Sequence, residues 1–364
     1  MKTILKISIL SILLSFNFSC SKNDDSQPEL IVIEETQPKP EEEPLPDPEP
    51  IIDVYAVGIE SDGAKNIAKI WKNGIATPLT NGANNANATS VFVAGEDVFI
   101  GGYEDNGTTN IAAIWKNGIK IPQSDGSRVA FLSSVFVSGD VVYAVGMEVY
   151  PIINGELYVA TLWINGKATI LSEGKNHSWA TSVYVQANDV YVAGYVEDPT
   201  TKFFVATIWK NGVATSLTDN LLGSRAENIL VSGNDVYVTG SQFKNGKNVA
   251  YIWKNGVATQ LSNGTTDGSA NAIYVSNDDI YVVGSVNDSE QNRMATLWKN
   301  NFPVEPMSTK GIDATATSVF VLENNVYVGG SDGEIATIWK NGEPIKLTDG
   351  TSSAQVNSVF VAKN

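Results

Sequence analysis

The chain has 364 residues, with 24 Lys and Arg against 40 Asp and Glu, and its formal net charge is −16. Such a charge repels polyanions, so no nucleic-acid partner is expected. Cys20 is the one cysteine and His177 the one histidine. The composition therefore excludes an internal disulfide and a metal site built on several histidines.

Residues 1–20 form the first predicted element, an export signal. Lys2 and Lys6 precede an apolar run, Ile7 to Phe18, that is too short to span a bilayer. The run ends next to Cys20, and an apolar segment that ends at a lone cysteine resembles the lipobox of bacterial lipoproteins. The resemblance implies that Cys20 carries a lipid. An ordinary signal peptide with an incidental thiol is the alternative.

Residues 21–50 are predicted to be a disordered, acidic, proline-rich tether. The segment holds seven prolines and ten acidic residues against two lysines, so it cannot bury enough apolar surface to fold. Its first residues, 21–25, resemble the export tag of some Gram-negative lipoproteins. That resemblance implies a protein anchored by lipid to the outer membrane and exposed at the cell surface, with the membrane as one partner.

Residues 51–364 are predicted to form one domain of seven repeats. Each repeat contains a tryptophan followed two residues later by asparagine, and successive tryptophans are 41 to 48 residues apart. The seven are Trp71, Trp115, Trp163, Trp209, Trp253, Trp298 and Trp339. A period of this length is typical of β-propeller blades. Since each tryptophan occupies the same place in its repeat, we expect the set to pack between blades.

Each repeat contains four strand-like runs, and Asn-Gly between the third and fourth predicts a two-residue hairpin. The second, third and fourth runs each occur seven times, and the first copy of the second run starts at Asp53. The first run also occurs seven times, but its first copy is at Val91 and its last copy is at Val359, near the C-terminus. These counts predict an all-β, seven-bladed propeller with four antiparallel strands per blade. Pairing of residues 358–361 with 53–58 should close the ring, and a monomer is expected.

The third and fourth runs of residues 206–219, ATIWKNGVATSLTD, resemble bacterial extracellular repeats with an AFLW-x-x-G core. Those repeats also build propeller blades, so the resemblance implies the fold and transfers no catalytic residue. Glycine pairs such as Gly101-Gly102 give a weak similarity to kelch repeats, and the signature of WD40 repeats is absent.

Variable positions at the start of the first strand are the candidates for a binding site. Alignment on the SVFV run places different side chains at one equivalent position: Asn87, Phe131, Trp179, Arg225, Ser269, Thr315 and Gln355. Two residues later, Glu227 stands where the other repeats have Thr, Ser or Asn. In propellers this end of the strand opens at the mouth of the central channel. We therefore predict a ligand site formed by Asn87, Phe131, His177, Trp179, Arg225, Glu227 and Gln355.

The resulting functional hypothesis is a surface-anchored, non-catalytic module that binds a glycan or a protein, with Trp179 and Phe131 as stacking surfaces. One alternative is a lyase or hydrolase acting on polysaccharide, with Glu227 as acid or base near His177. A structural protein of the cell envelope is the other. No cofactor or metal is expected; calcium stays an unsupported alternative, because the D-x-D-x-D-G loop is missing.

Overall fold

The computed structural model describes residues 51–153, 155–304, 307–308 and 312–363. The predicted export signal, its lipidation site Cys20 and the predicted tether lie outside the described residues. Pro50–Asn364 forms one compact unit. Within the described part of the chain, no helix is long and apolar enough to cross a membrane.

The described residues form 28 strands in seven four-stranded antiparallel sheets, which are the blades of a propeller. Blade 1 combines strands from both ends of the domain, in the order β28-β1-β2-β3. Its strands are β1 (Ile52–Ser61), β2 (Asn66–Lys72), β3 (Ile75–Pro78) and β28 (Ala354–Lys363). Val57 lies opposite Ser358, and Asp53 lies opposite Ala362. The predicted fold and its closure are therefore confirmed.

The other six blades each use four consecutive strands. Blade 2 comprises β4 (Ala86–Ala94), β5 (Asp97–Asp105), β6 (Asn110–Lys116) and β7 (Ile119–Pro122); blade 3 comprises β8 (Ala130–Ser138), β9 (Val141–Ile152), β10 (Gly155–Ile164) and β11 (Lys167–Ile170). Blade 4 comprises β12 (Ser178–Gln186), β13 (Asp189–Glu197), β14 (Phe204–Lys210) and β15 (Val213–Ser216).

Blade 5 comprises β16 (Ser224–Ser232), β17 (Asp235–Lys244), β18 (Lys247–Lys254) and β19 (Val257–Gln260). Blade 6 comprises β20 (Gly268–Ser276), β21 (Asp279–Asn287), β22 (Arg293–Lys299) and β23 (Phe302–Pro303), and blade 7 comprises β24 (Ala314–Leu322), β25 (Asn325–Asp332), β26 (Ile335–Lys340) and β27 (Glu343–Lys346). Tight hairpins join strands one to two and three to four at one end, the turn face. Connections between strands two and three, and between blades, emerge at the other end, the loop face.

The core lies between the blades. The seven repeat tryptophans are at most 1% exposed, which confirms that they pack rather than line a ligand surface. Trp115 of blade 2, for example, packs in one cluster with Tyr55 and Val57 of blade 1 and Val91 of its own blade. Burial of a large aromatic side chain stabilises a fold by about 3 kcal/mol.

The first strands are joined to one another around the channel by the serine of the SVFV run. Ser90 Oγ of blade 2 accepts a hydrogen bond from the backbone N–H of Val135 in blade 3, at 3.1 Å. The same bond joins Ser134 to Val183, Ser318 to Val359 and Ser358 to Val91. In blade 6 the serine is replaced by Ala272, so the seam between blades 6 and 7 cannot form this bond.

A bulge near the start of each first strand explains a glycine within the second strand that pairs with it. At Gly194 an added Cβ would lie 1.9 Å from the carbonyl oxygen of Trp179 on the paired strand. No other residue fits so close to a backbone, so glycine recurs at this position in all seven blades. The bulge aims the residues before it toward the loop face.

Candidate functional site

A cleft of about 610 Å³ opens on the loop face across blades 4 to 7. It is lined by Lys202, Phe203, Phe204, Gly223, Ser224, Arg225, Glu227, Ser241, Phe243, Asn248, Asp267, Gly268, Ser269, Asn271, Ser285, Arg293 and Thr315. These residues come from the starts of first strands and the residues just before them, from the ends of second strands, from the starts of third strands and from the connection before β14. We call this feature the loop-face cleft. Of the seven predicted ligand residues, Arg225 and Glu227 line it.

Arg225 is exposed and is held against aromatic rings. Its guanidinium carbon lies 5.1 Å from the ring centre of Tyr195 and 5.4 Å from that of Phe204. The two rings meet edge to face at 5.0 Å. Cation–π attraction of this kind limits the conformations of the side chain while its N–H groups stay free to bind. Arg225 is thus positioned before any ligand arrives.

Glu227 is partly buried and occupies a position where other blades carry a hydrogen-bond donor. At equivalent positions, Thr181 Oγ1 donates to Ala226 O at 2.9 Å and Asn271 Nδ2 donates to Ala316 O at 2.8 Å. A carboxylate cannot donate such a bond. Burial raises the pKa of Glu227 to about 7, and the nearby charge of Arg225 opposes the rise only in part. A substantial fraction of Glu227 is therefore protonated at neutral pH.

The other charged side chains of the cleft differ in whether they have a partner. Lys202 Nζ lies 3.2 Å from Glu197, and Asp267 accepts from Lys247 Nζ at 3.3 Å. Backbone N–H donation from residue 248 and the Lys247 charge lower the pKa of Asp267. Arg293, at the start of β22, donates from Nη1 to Thr315 Oγ1 at 3.3 Å. Among the described residues, no carboxylate lies within 4.0 Å of the guanidinium group of Arg293 or Arg225, although the Asp313 carboxylate accepts a hydrogen bond from the backbone N–H of Arg293 at 2.8 Å.

Two phenylalanines give the cleft an apolar surface. Phe203, in the loop before β14, is 47% exposed, and Phe243, near the end of β17, is 43% exposed. Exposed aromatic rings of this size are costly to leave in water and are common in ligand sites. The cleft therefore combines guanidinium groups, hydroxyls and an amide with open ring faces.

His177 and Trp179 lie beside the cleft, in an aromatic row that leads to it. Trp179 stacks on Tyr158, with ring centres 5.5 Å apart, and on Tyr195 at 6.2 Å. His177 Nδ1 accepts a hydrogen bond from the backbone N–H of Tyr158 at 3.2 Å, and its Nε2 lies 3.9 Å from Glu197. Trp179 thus packs against two rings of the protein itself, which leaves less of its surface for a ligand.

Three predicted ligand residues lie elsewhere around the channel. Phe131 packs edge to face on Tyr103 at 4.6 Å, and Asn87 Oδ1 accepts from Asn357 Nδ2 at 2.7 Å. Gln355 is opposite Ile59 in blade 1. The structure does not bring these three into the loop-face cleft with Arg225 and Glu227.

Sequence reasoning missed Phe203, Phe243 and Arg293. Phe203 lies in the connection before β14, Phe243 near the end of β17 and Arg293 at the start of β22. The hairpins between second and third strands differ in length from blade to blade, so alignment on the first strand does not reach these residues. The scarcity of arginine could have drawn attention to Arg293, because the chain contains only three arginines and two of them line this cleft.

The described residues contain no group of three His, Cys, Asp or Glu side chains that could hold a metal ion. The turn-face aspartates that prompted the calcium alternative have other partners. Asp279, for example, pairs with Lys299 Nζ at 2.7 Å, and this hydrogen bond lowers its pKa. Calcium gains no support from this part of the chain.

Solved structures resemble this chain in fold. No protein-family model and no curated protein sequence matches it. The acylaminoacyl peptidase of Pyrococcus horikoshii matches with a TM-score of 0.51 and 14% identity, over 83% of this chain and 52% of that one. A puromycin hydrolase matches with a TM-score of 0.56 and 10% identity, over 82% and 52%.

The chain thus spans about half the length of both matching structures. What they share with it is the fold. At such low identity the likeness says nothing about activity, which must be argued from the cleft itself.

Proposed function

We propose that the protein is a non-catalytic module that binds a glycan in the loop-face cleft. The observation that carries the proposal is the combination of open phenyl rings and polar donors in one concavity of about 610 Å³. Sugar rings present apolar C–H faces and polar hydroxyl edges, and Phe203 and Phe243 stand beside Arg225 and Arg293 to meet both. A site of this size suits a small ligand or a few sugar units.

Shape favours a glycan over a protein partner. Protein partners bury broad surfaces of about 800 Å² each, whereas this cleft is a concavity lined by both charged and apolar groups. The exposed aromatic rings lie inside the concavity, where a chain of sugars can reach them. A protein ligand remains the alternative that the binding experiment addresses.

Surface attachment is part of the proposal. The lipobox-like run before Cys20 would anchor the protein, and the tether of residues 21–50 would hold the domain away from an outer membrane. Replacing Cys20 with Ser should release the protein into the soluble fraction. Continued fractionation with membranes would contradict the anchor.

A second candidate, a polysaccharide lyase or hydrolase, is favoured by one observation, the raised pKa of Glu227. Hydrolysis of glycosides ordinarily needs two carboxyl groups, and Asp267, the other one in the cleft, is engaged by Lys247. His177 lies outside the cleft. Product release from polysaccharides by the wild-type chain, abolished in Glu227→Gln, would establish this candidate in place of a binding module.

Binding can be tested with the purified full-length chain in mild detergent on an array of defined oligosaccharides. Phe203→Ala and Phe243→Ala should each weaken binding to a hit by roughly threefold to tenfold, the scale of a lost aromatic contact. Phe302→Ala is the matched control, because Phe302 is 75% exposed and lies outside the cleft. If binding is unchanged in Phe203→Ala, Phe243→Ala and Phe302→Ala alike, the ligand binds outside the cleft. An array without hits, together with capture of a specific protein, would favour the structural alternative.

A further inference from the structure

Arginine is concentrated at the loop-face cleft. The chain has three arginines in 364 residues, and Arg225 and Arg293 both line this cleft although they come from different blades. The third, Arg128, lies over the ring of Tyr150 at 4.5 Å, outside the cleft. Arginine is the side chain best matched to oxyanions, because its planar N–H groups form paired hydrogen bonds.

Neither guanidinium group forms an ion pair with a residue that the structure describes, although Glu227 lies near Arg225 and the Asp313 carboxylate accepts from the backbone N–H of Arg293 at 2.8 Å. No carboxylate of the described residues lies within 4.0 Å of either one, whereas most other cations near the site are paired, as Lys202 is with Glu197 and Lys247 with Asp267. Residues 51–364 carry a net charge of −10. Two arginines without an ion-pair partner among the described residues therefore give the cleft local positive charge, although the domain as a whole is negatively charged.

We propose that the cleft binds an acidic glycan, whose carboxylate or sulfate groups pair with Arg225 and Arg293 while a sugar face lies on Phe203 or Phe243. This inference rests on the proposed glycan-binding function and names the chemical class of the ligand. Arg225 is already held over Tyr195 and Phe204, so little conformational freedom is lost when it binds an anion.

Glu227 is compatible with an anion in the same cleft. An ionised carboxylate would repel the ligand, but the raised pKa of Glu227, about 7, keeps much of it neutral at neutral pH. In that form its O–H can donate a hydrogen bond, either to the backbone or to a ligand oxygen. Asp267 is the other acid of the cleft, and its charge is offset by Lys247.

The overall negative charge limits which anions can enter. A long, densely charged chain would be repelled by the rest of the domain, whereas a short acidic oligosaccharide interacts mainly with the cleft. We therefore expect oligomers of a few units to bind, with an affinity that falls as salt is added.

The test is calorimetric titration of the full-length chain with three probes: trigalacturonate, its fully methyl-esterified form, and a sulfated galactan tetrasaccharide. We expect trigalacturonate to bind at least tenfold more tightly than the ester, which keeps the sugar rings and loses the charge. Preference for the sulfated probe over the ester would identify sulfate as the source of the anion. Equal binding of the acid, its ester and the sulfated probe would overturn the inference but leave glycan binding standing. Absence of binding to all three would overturn the inference, while the oligosaccharide array separately decides the proposed function.

Arginine variants locate the effect. Arg293→Ala should weaken trigalacturonate binding roughly tenfold to hundredfold, the range for a lost charge-assisted hydrogen bond, and should reduce the preference for trigalacturonate over its methyl ester by a similar factor. Arg128→Ala is the matched control, since it removes the same charge from the same chain outside the cleft. Equal losses in both variants would show a general charge effect and overturn the inference. Melting temperatures measured alongside identify any variant that does not fold.

Discussion

The two faces of the propeller use the same strands in opposite ways. On the turn face, five blades carry one arrangement: an aspartate that starts the second strand, a lysine that ends the third, and the asparagine after it. We call this the Asp-Lys-Asn clip. In blade 2, Asp97 lies 2.7 Å from Lys116 Nζ and accepts from Asn117 Nδ2 at 2.8 Å, and the other four clips agree within 0.1 Å.

On the loop face, equivalent positions make different contacts. Phe131 packs on Tyr103, Trp179 stacks on two rings, Arg225 lies over two rings, and Asn87 accepts from an amide. Short Asn-Gly hairpins tolerate few changes, because asparagine and glycine there adopt positive φ, such as 51° at Asn211 and 80° at Gly212. The connections between second and third strands instead vary in length, from two residues at 245–246 to six at 198–203. The turn face therefore keeps the same contacts from blade to blade, whereas side chains on the loop face vary and can form a ligand site.

The largest expected effect separates a scaffold tryptophan from one on the loop face. Trp339→Ala should destabilise the fold by about 3–5 kcal/mol, because Trp339 is fully buried in a cluster between blades. Trp179→Ala should cost less, roughly 1–2 kcal/mol, since Trp179 is only partly buried and loses two stacking contacts. Chemical denaturation measures both. Equal losses would mean that Trp179 belongs to the scaffold as fully as Trp339 does.

The second effect concerns pH. The folded state raises the pKa of Glu227 from 4.5 to about 7, so it holds a proton that the unfolded chain releases between these values. The associated stability is present below pH 4.5 and is lost as the pH rises through 7, by up to about 3 kcal/mol. Glu227→Gln removes this dependence, so the variant should gain stability relative to wild type between pH 5 and pH 8.

Glu290→Gln provides the control for the pH experiment, because Glu290 is exposed on a connection between second and third strands. Its stability difference from wild type should stay constant over the same range. If Glu227→Gln behaves like this control, the carboxyl group is ionised and well solvated in the folded protein.

The smallest effect tests whether the turn face is a repeated design. Blade 7 has Asn325 where the clip has aspartate, and Lys340 lies over the Tyr327 ring at 5.4 Å with no acidic partner among the described residues. Asn325→Asp should complete the clip and stabilise the protein by about 0.2–1 kcal/mol, the usual value of an exposed ion pair. The gain, read from thermal melts, should vanish in a Lys340→Met background. A gain that survives there would come from the hairpin alone.

Most of the fold could be predicted from the sequence, because it depends on features that repeat. The period of the tryptophans, the Asn-Gly hairpins and the count of strand runs predict the blades and their closure. Residues on a first strand could also be placed, since alternation along a strand decides which side chains point together. For this reason the sequence could place Arg225 and Glu227 on one side of β16, and both line the loop-face cleft.

The rest of the site depends on contacts between segments of unequal length. Phe243 and Arg293 lie at the ends of strands β17 and β22 that flank connections of unequal length, so their distance from Arg225 cannot be deduced from spacing. Trp179 shows the converse difficulty. Its position on β12 was predictable, but its stacking on Tyr158 depends on how blade 3 lies against blade 4.

The pairing of β1 with β28 has a consequence for how the chain folds. Each of the other blades can form from a contiguous stretch and pack on its neighbour while synthesis continues, as in a linear repeat protein. Blade 1 cannot, because its first strand is the last one to be made. Until β28 has been synthesised, β1 has an unpaired edge. Pairing β1 with β28 then closes a loop that contains nearly the whole domain. Folding should therefore end in a slow step, with an aggregation-prone intermediate whose lifetime depends on how fast the last strand arrives.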